Sequence, residues 1–338
     1  MKKLMKFAAF LVLFSLVLNT GCKKDEPVET TTSYTTLKDY MVANDLDLPA
    51  LLGSWVIDAK PTSVEGGIVD EANGYTIPSY HVFDVRDEAA FNAGHINGAI
   101  RVNLADVVTK AADYTDKPIL VACASGQTAG HAVMALMLSG YADAKVLKWG
   151  MSGWNNDLAG SWNSNAGSEN GNKADGNSNW VTSTAPAKET GNTPTWTSTS
   201  TDGAQILAER VNAMLASDFQ NETGTNVLDN PAAYQIFNFW PNDIYESIGH
   251  FDGAYQLETI SLAGDATGAI NPGETSLVYC YTGQTSSMAV AWLNVLGFNA
   301  KSILFGANGL KYDALVDLNN PKVVWNGSHG YDYVSVEK

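Results

Sequence analysis

An α/β fold, in which a central parallel β-sheet carries helices on both faces and the whole unit occurs twice, is predicted by three observations on the 338-residue chain. Its short apolar runs are nearly continuous rather than alternating, as strands buried on both faces must be. Helical patterns separate these runs, and strand, helix, strand in alternation means parallel pairing, because a parallel crossover needs the length of a helix. The third observation is a repeat: "LVACASGQTAGHAV" from Leu120 to Val133 returns as "LVYCYTGQTSSMAV" from Leu277 to Val290, with the cysteines 280 − 123 = 157 residues apart.

The N-terminal residues belong to no fold. Lys2, Lys3 and Lys6 precede an apolar run from Phe7 to Leu18, too short to span a bilayer and of the length found in the core of a secretory signal. The following "LNTGC" resembles the lipobox of bacterial lipoproteins. That resemblance implies lipidation of Cys22 and a chain exported and lipid-anchored in the cell envelope, expected at the outer membrane, with the periplasmic or surface face left open. Asn19 stands where an aliphatic residue is usual, so ordinary signal cleavage is the alternative. The next residues, "KKDEP", are similar to the sorting tether of some Bacteroidetes surface lipoproteins. Residues 1–22 therefore read as signal and lipobox, and 23–35 as a tether.

The first domain is placed at residues 36–165. An amphipathic stretch from Thr36 to Asn44 opens it, and "YHVFDV", "PILVA" and "AKVLKW" supply strands. The helix after the cysteine is expected from Ala129 to Ser139, with Gly140 just past its end. Residues 166–200, rich in Ser, Thr, Asn and Gly with few aliphatics, read as a flexible linker whose Trp180 and Trp196 pin it to a domain surface. The second domain follows at 201–338. There Ala204 to Ser217 is amphipathic, "TNVLD", "SLVYC" and "KSILF" are expected strands, and Ser286 to Leu296 is a helix closed by Gly297. On this alignment "VLDN" answers "VFDV", and "NFWPNDIYES" before the second Gly-His is an insertion. Trp162-Asn163 near the end of the first copy is answered by Trp325-Asn326 in the second.

With 45% hydrophobic residues the chain is long enough for two domains, each with its own core. The net charge of −16 argues against a nucleic-acid partner and repels anionic lipid at long range, leaving the lipid anchor as the only expected membrane contact. No zinc spacing, Gly-x-Ser-x-Gly elbow or Walker loop appears, so neither a metal nor a nucleotide cofactor is expected.

The chemistry is expected at the two cysteine loops. A cysteine where a parallel strand gives way to a helix lies at the carboxyl edge of the sheet, where α/β folds bind ligands. Amides from Ala124, Ser125, Gly126, Gln127 and Thr128 in one loop, and from Tyr281, Thr282, Gly283, Gln284 and Thr285 in the other, can curl round the sulfur. Gly126 and Gly283 permit the turn. With the helix dipole, these donors are expected to favour thiolate over thiol at Cys123 and Cys280. If Cys22 carries lipid, those two sulfurs are left over. A bridge between them would need the loops to face one another within about 6 Å between Cα atoms, which is not expected of linked repeats. His95 and His250, in Gly-His-x-x-Gly-Ala turns, read as structural, and His131 as lying on a helix surface. Arg86, after Asp84, is expected in a structural ion pair near Glu88.

At these residues both copies resemble rhodanese domains, the sulfurtransferase family. "DVRDEAAFNAGHINGAI" is similar to that family's Asp-Val-Arg opening and Gly-His-Ile-x-Gly-Ala segment, and "CASGQT" to its six-residue active loop. The resemblance implies that Cys123, and Cys280 after it, accept a sulfane sulfur as a persulfide and pass it to a thiol. It implies a small sulfur donor and a thiol acceptor as partners. Neither loop carries a cation, and "CASGQT" is similar to the mercaptopyruvate branch, with Ser125 in the place of the assisting serine and Thr282 there in the second copy. The donor is accordingly mercaptopyruvate-like or thiosulfate. The phosphatase-like branch closes a longer loop with arginine, whereas Ala129 and Ser286 stand six residues beyond the cysteines. A persulfide-carrying or protein-binding module without turnover is the alternative reading, and two buried filler cysteines the bland one.

Overall fold

The computed structural model describes residues 32–336. Cys22 and the signal-like segment lie outside the described residues. Five strands make the first sheet: β1 (Val56–Ile57), β2 (His81–Asp84), β3 (Ile100–Arg101), β4 (Ile119–Ala122) and β5 (Lys145–Leu147). Their order is β1-β5-β4-β2-β3, and every pair is parallel. The second sheet contains β6 (Asn221–Glu222), β7 (Gln235–Asn238), β8 (Tyr255–Gln256), β9 (Thr275–Tyr279) and β10 (Asn299–Ile303). Read from its β6 edge it runs β6-β10-β9-β7-β8, the same order, again all parallel. The protein is α/β, with two parallel sheets flanked by helices.

Alternation along the strands shows why the apolar runs are unbroken. Ile119 and Val121 of β4 face one core while Leu120 and Ala122 face another, so each sheet is buried on both sides. In the second sheet Val278 points to the same inner core, whereas Leu277 and Tyr279 point to an outer one.

Four longer helices fill the inner layer: α1 (Ser33–Ala43), α2 (Gln127–Leu138), α3 (Gly203–Ala216) and α4 (Gln284–Leu296). Thr32 and Asp202 cap α1 and α3 by accepting from Thr35 N and Gln205 N. Gly297 ends α4 at φ 103°, and Gly140 follows α2 at φ 97°. Residues of α2 and α4 share one continuous apolar core that draws on both sheets. The two separate cores expected from chain length are therefore merged on their inner sides. Gly130 makes the close approach possible, since a Cβ there would lie 2.1 Å from Ser287 Oγ. Trp292 Nε1 donates to Leu46 O, and the Asp47 carboxylate accepts from Leu262 N, adding polar ties across the same junction.

One strand expectation is overturned. "TNVLD" lies in a helix, Gly224–Asp229, started by Thr223, whose hydroxyl accepts from Asn226 N, and burying Val227 and Leu228 on one side. The strand is Gln235–Asn238 instead, so "QIFN" answers "HVFD", and most of the supposed insertion is the counterpart of "VRDEAAF".

Residues 166–200 lie against the second copy. Trp180–Val181 pairs antiparallel with His250–Phe251, and Trp180 Nε1 donates to Ile248 O. Trp196 Nε1 donates to Leu296 O beneath the Arg210 guanidinium, 4.9 Å from its ring. The last residues return to the first copy, where His329 N and Tyr331 N donate to Gly153 O and Trp154 O, and Val334 bridges His95.

Candidate active site

Cys123 follows β4 directly, and its Sγ accepts from Gly126 N at 3.1 Å and from Ala129 N at 3.3 Å. Those amides point inward because the loop carbonyls are drawn outward. Met151 N donates to Cys123 O and Ser152 N to Ala124 O, so the turn after β5 takes up the oxygens and leaves the nitrogens to the sulfur. Gly126 adopts φ 86°. The second loop repeats this plan: Ala307 N and Asn308 N hold Cys280 O and Tyr281 O, and Gly283 adopts φ 75°.

The two sulfurs differ in what surrounds them. Cys280 Sγ accepts from Ser286 N at 3.4 Å and donates to Ser286 Oγ at 3.6 Å, a hydroxyl that also bonds Ser302 Oγ. Ala129 occupies the place of Ser286 in the first copy, so Cys123 meets backbone N–H groups there and no hydroxyl. Each cysteine is free and only 3% exposed.

Burial decides the proton. It pushes the Cys123 thiol up, and the amides of Ala129, Ser125 and Gly126 offset only part of that. The expectation that the loop would favour the thiolate is therefore overturned for Cys123, because desolvation outweighs two or three neutral donors. Alkylation of Cys123 by iodoacetamide in the folded chain is expected to begin only above the ordinary thiol range near pH 8.5. Mass spectrometry after timed exposure at successive pH values checks this; half-maximal reaction below about pH 8 would contradict it.

The remaining loop residues divide by position. Ala124 reaches solvent, Tyr281 is half-buried, and Thr128 and Thr285 are half-buried on the first turns of α2 and α4. Ser125 is buried, its Oγ accepting from Gln127 Nε2 and its carbonyl from Trp162 Nε1. Thr282 Oγ1 accepts from Gln284 N. Gln127 and Gln284 are exchanged between the copies: Gln127 Oε1 accepts from Phe305 N at 2.9 Å, and Gln284 Oε1 from Trp149 N at 3.3 Å. The loops thus meet through the crossed glutamines, because the packing of α2 on α4 brings both helix starts to the junction, and both cysteines are free.

Aromatic rings not foreseen in this role cover the first loop. Trp149, Trp162, Phe305 and Trp325 form one cluster, with Trp162 stacked on Trp325 at 5.5 Å and edge-on to Trp149 and Phe305. The repeated Trp-Asn pair was the available signal. Trp149 and Phe305 hold equivalent left-handed turns at φ 64° and 61°, the backbone that receives the crossed glutamines.

Behind β4, Arg86 pairs with buried Asp84 at 2.5 Å and donates to Gly94 O, so its partner is Asp84 rather than Glu88. Asn238 and Trp240 take those places in the second copy. Asn238 Nδ2 donates to Tyr279 OH, and Trp240 stacks on Tyr281 at 5.0 Å. His95 and His250 stack on Phe91 and Tyr245 and donate from Nδ1 to those residues' carbonyls. His131, expected on a surface, is fully buried, with Phe219 of the second copy edge-on at 5.8 Å. Among the described residues no group of three or more His, Cys, Asp or Glu could hold a metal ion, and no helix is long and apolar enough to cross a membrane.

A family profile described as "Rhodanese-like domain" matches residues 72–157, within the first copy. The chain is 40% identical over 76 residues to a thiosulfate sulfurtransferase, GlpE, of Pseudomonas fluorescens, a match covering 22% of this chain and 68% of that protein. It is 35% identical over 80 residues to the GlpE of Shewanella oneidensis, covering 23% and 77%. Among solved structures, the rhodanese-like domain of the Anabaena protein Alr3790 is 32% identical with a TM-score of 0.21, covering 22% of this chain and 58% of that one.

Proposed function

The chain belongs to the rhodanese-like domain family, and from that premise we propose that it is a sulfurtransferase working through a persulfide on Cys123. The observation that carries this reading is the pair of inward amides, Gly126 N and Ala129 N, on a sulfur at the carboxyl end of a parallel strand. Such a cradle suits an anionic sulfur. The Cys123 thiol first gives up its proton to solvent, against the burial that favours it, and the resulting thiolate forms a bond to the donor's outer sulfur. The donor's bond to that sulfur breaks, and its remainder leaves with the electron pair, as sulfite from thiosulfate or, from mercaptopyruvate, as the pyruvate enolate, which takes up the proton of the donor's own thiol to become pyruvate. An acceptor thiolate then attacks the outer sulfur, gains it as a persulfide and restores the Cys123 thiolate.

Ala124, Ser125, Gln127 and Thr128 complete the first site in this proposal. Cys280, with Tyr281, Thr282, Gly283, Gln284 and Thr285, forms a second site. Ser286 Oγ holds the Cys280 sulfur as a donor in the resting state and makes this the slower of the two. Export, lipidation at Cys22 and an outer-membrane address are part of the same proposal, supported by the "LNTGC" segment. The burial of both sulfurs favours one second reading, a persulfide carrier that takes up sulfur and passes it on only to a protein partner.

The full chain, Cys123→Ser and Cys280→Ser are each incubated with thiosulfate and with 3-mercaptopyruvate. Intact mass and released product are recorded. Cys123→Ser is expected to lose nearly all turnover, and Cys280→Ser to keep most of it. Sulfur gained on Cys123 without thiol-dependent turnover would favour the carrier; no gain on either cysteine would defeat both readings.

A further inference from the structure

We propose, building on the sulfurtransferase reading, that Gln284 of the second copy is a sulfur-binding residue of the first copy's site, donating Nε2–H to the outer sulfur of a persulfide on Cys123. Gln284 is 2% exposed. Its Oε1 accepts from Trp149 N, which fixes the oxygen end of the amide. The side chain lies against Gly126, where a Cβ would stand 2.8 Å from Oε1 and 3.3 Å from Cγ. Gly126 N is the donor that meets Cys123 Sγ at 3.1 Å. The Gln284 amide therefore enters the first loop at the residue that holds the sulfur.

Its Nε2 has no hydrogen-bond partner among the described residues. Gln127, the counterpart, is satisfied, because Ser125 Oγ accepts from its Nε2 at 3.0 Å. In the second copy Thr282 replaces that serine, and its hydroxyl is turned to the backbone N–H of Gln284. The symmetry of the pair is broken at one atom, and the spare donor belongs to the amide that lies against Gly126, in the loop of the cysteine that lacks a neighbouring hydroxyl. A buried amide donor without a partner is unfavourable until an acceptor arrives. When the donor's sulfur is transferred, the new S–S bond leaves the negative charge on the outer sulfur, and an anionic acceptor forms the stronger hydrogen bond. Gln284 then stabilises the loaded state of Cys123 from across the junction between the copies.

The test uses the full chain carrying Cys280→Ser, loaded with thiosulfate or 3-mercaptopyruvate, with the extra sulfur on Cys123 followed by intact mass as a fixed thiol removes it. Gln284→Glu keeps an oxygen for Trp149 N–H and replaces the donor with an acceptor. About tenfold faster loss of the loaded sulfur is expected, with a fall of similar size in kcat/KM. A Cys280→Ser parent that takes up no sulfur defeats the sulfurtransferase reading and this assignment with it. A parent that loads, beside a Gln284→Glu chain that holds sulfur equally long, overturns the assignment alone. Should the variant fold poorly, the unsubstituted chain decides: loading must shift the side-chain amide resonances of Gln284 in 15N–1H spectra, and unmoved resonances overturn the proposal.

Discussion

Replacing Gly150 with alanine is expected to dismantle the first loop and to destabilise the protein by about 2–5 kcal/mol, the sum of a left-handed backbone penalty and an overpacking cost. Gly150 adopts φ 59°, and a Cβ there would stand 2.3 Å from Cys123 O and 2.7 Å from Gly126 N. Both obstacles are backbone, so no side chain can swing away. Relief has to come from moving the loop, and moving Gly126 takes its N–H off the sulfur. Denaturant unfolding and Cys123 sulfur loading should therefore fail together. Gly306→Ala would do the same to the second loop, with its Cβ 2.0 Å from Cys280 O. Gly160→Ala, with open space around its Cβ, is the comparison and should stay within about 0.5 kcal/mol of the parent. A Gly150→Ala chain of parental stability that still loads sulfur would show that the turn after β5 does not set the loop.

The sequence made the sheets legible because burial on both faces leaves no alternation to misread, and the glycines past α2 and α4 marked both helix ends. It misplaced β7 for a physical reason. Gln235 and Asn238 are polar residues inside a buried strand, made tolerable by partners distant in sequence: Asn271 N donates to Gln235 Oε1, and Asn238 donates to Tyr279 OH. "TNVLD" offered the better apolar run and went to a short helix, an ambiguity that periodicity cannot resolve over five or six residues. The loop amides were legible from their spacing, whereas the proton on Cys123 was not. Which effect wins there depends on how completely the copies close over the sulfur, and closure is set by Gly130, Ser287 and the crossed glutamines. His131 was misplaced by the same omission, since the surface it would have faced is covered by the second copy.

That buried imidazole should make the junction between the copies sensitive to acid. His131 lies on α2, five residues after Gly126, with Phe219 against its ring; burial lowers its pKa to about 4, while Asp218 and the Met214 backbone pull weakly the other way. The unfolded chain protonates this residue near pH 6.5, and the folded chain resists until about pH 4. Its contribution is therefore fully present above pH 6.5 and is lost as pH falls toward 4. It amounts to roughly 3 kcal/mol, since each pH unit separating the two protonation points is worth about 1.36 kcal/mol. Met288 stands in the corresponding place on α4 and is fully buried, so His131→Met substitutes a side chain the fold already accepts there. Urea unfolding at pH 7.5 and at pH 4 should show a loss in the parent larger by roughly that amount than in His131→Met, the carboxylates being common to both. Equal losses would mean that the folded chain opens to water at His131 before it protonates. A larger loss in the parent ties acid to the helix pair that presents Gln127 and Gln284 to each other, so hydrogen-exchange protection of the α2 amides should fall over the same pH interval in the parent and not in His131→Met.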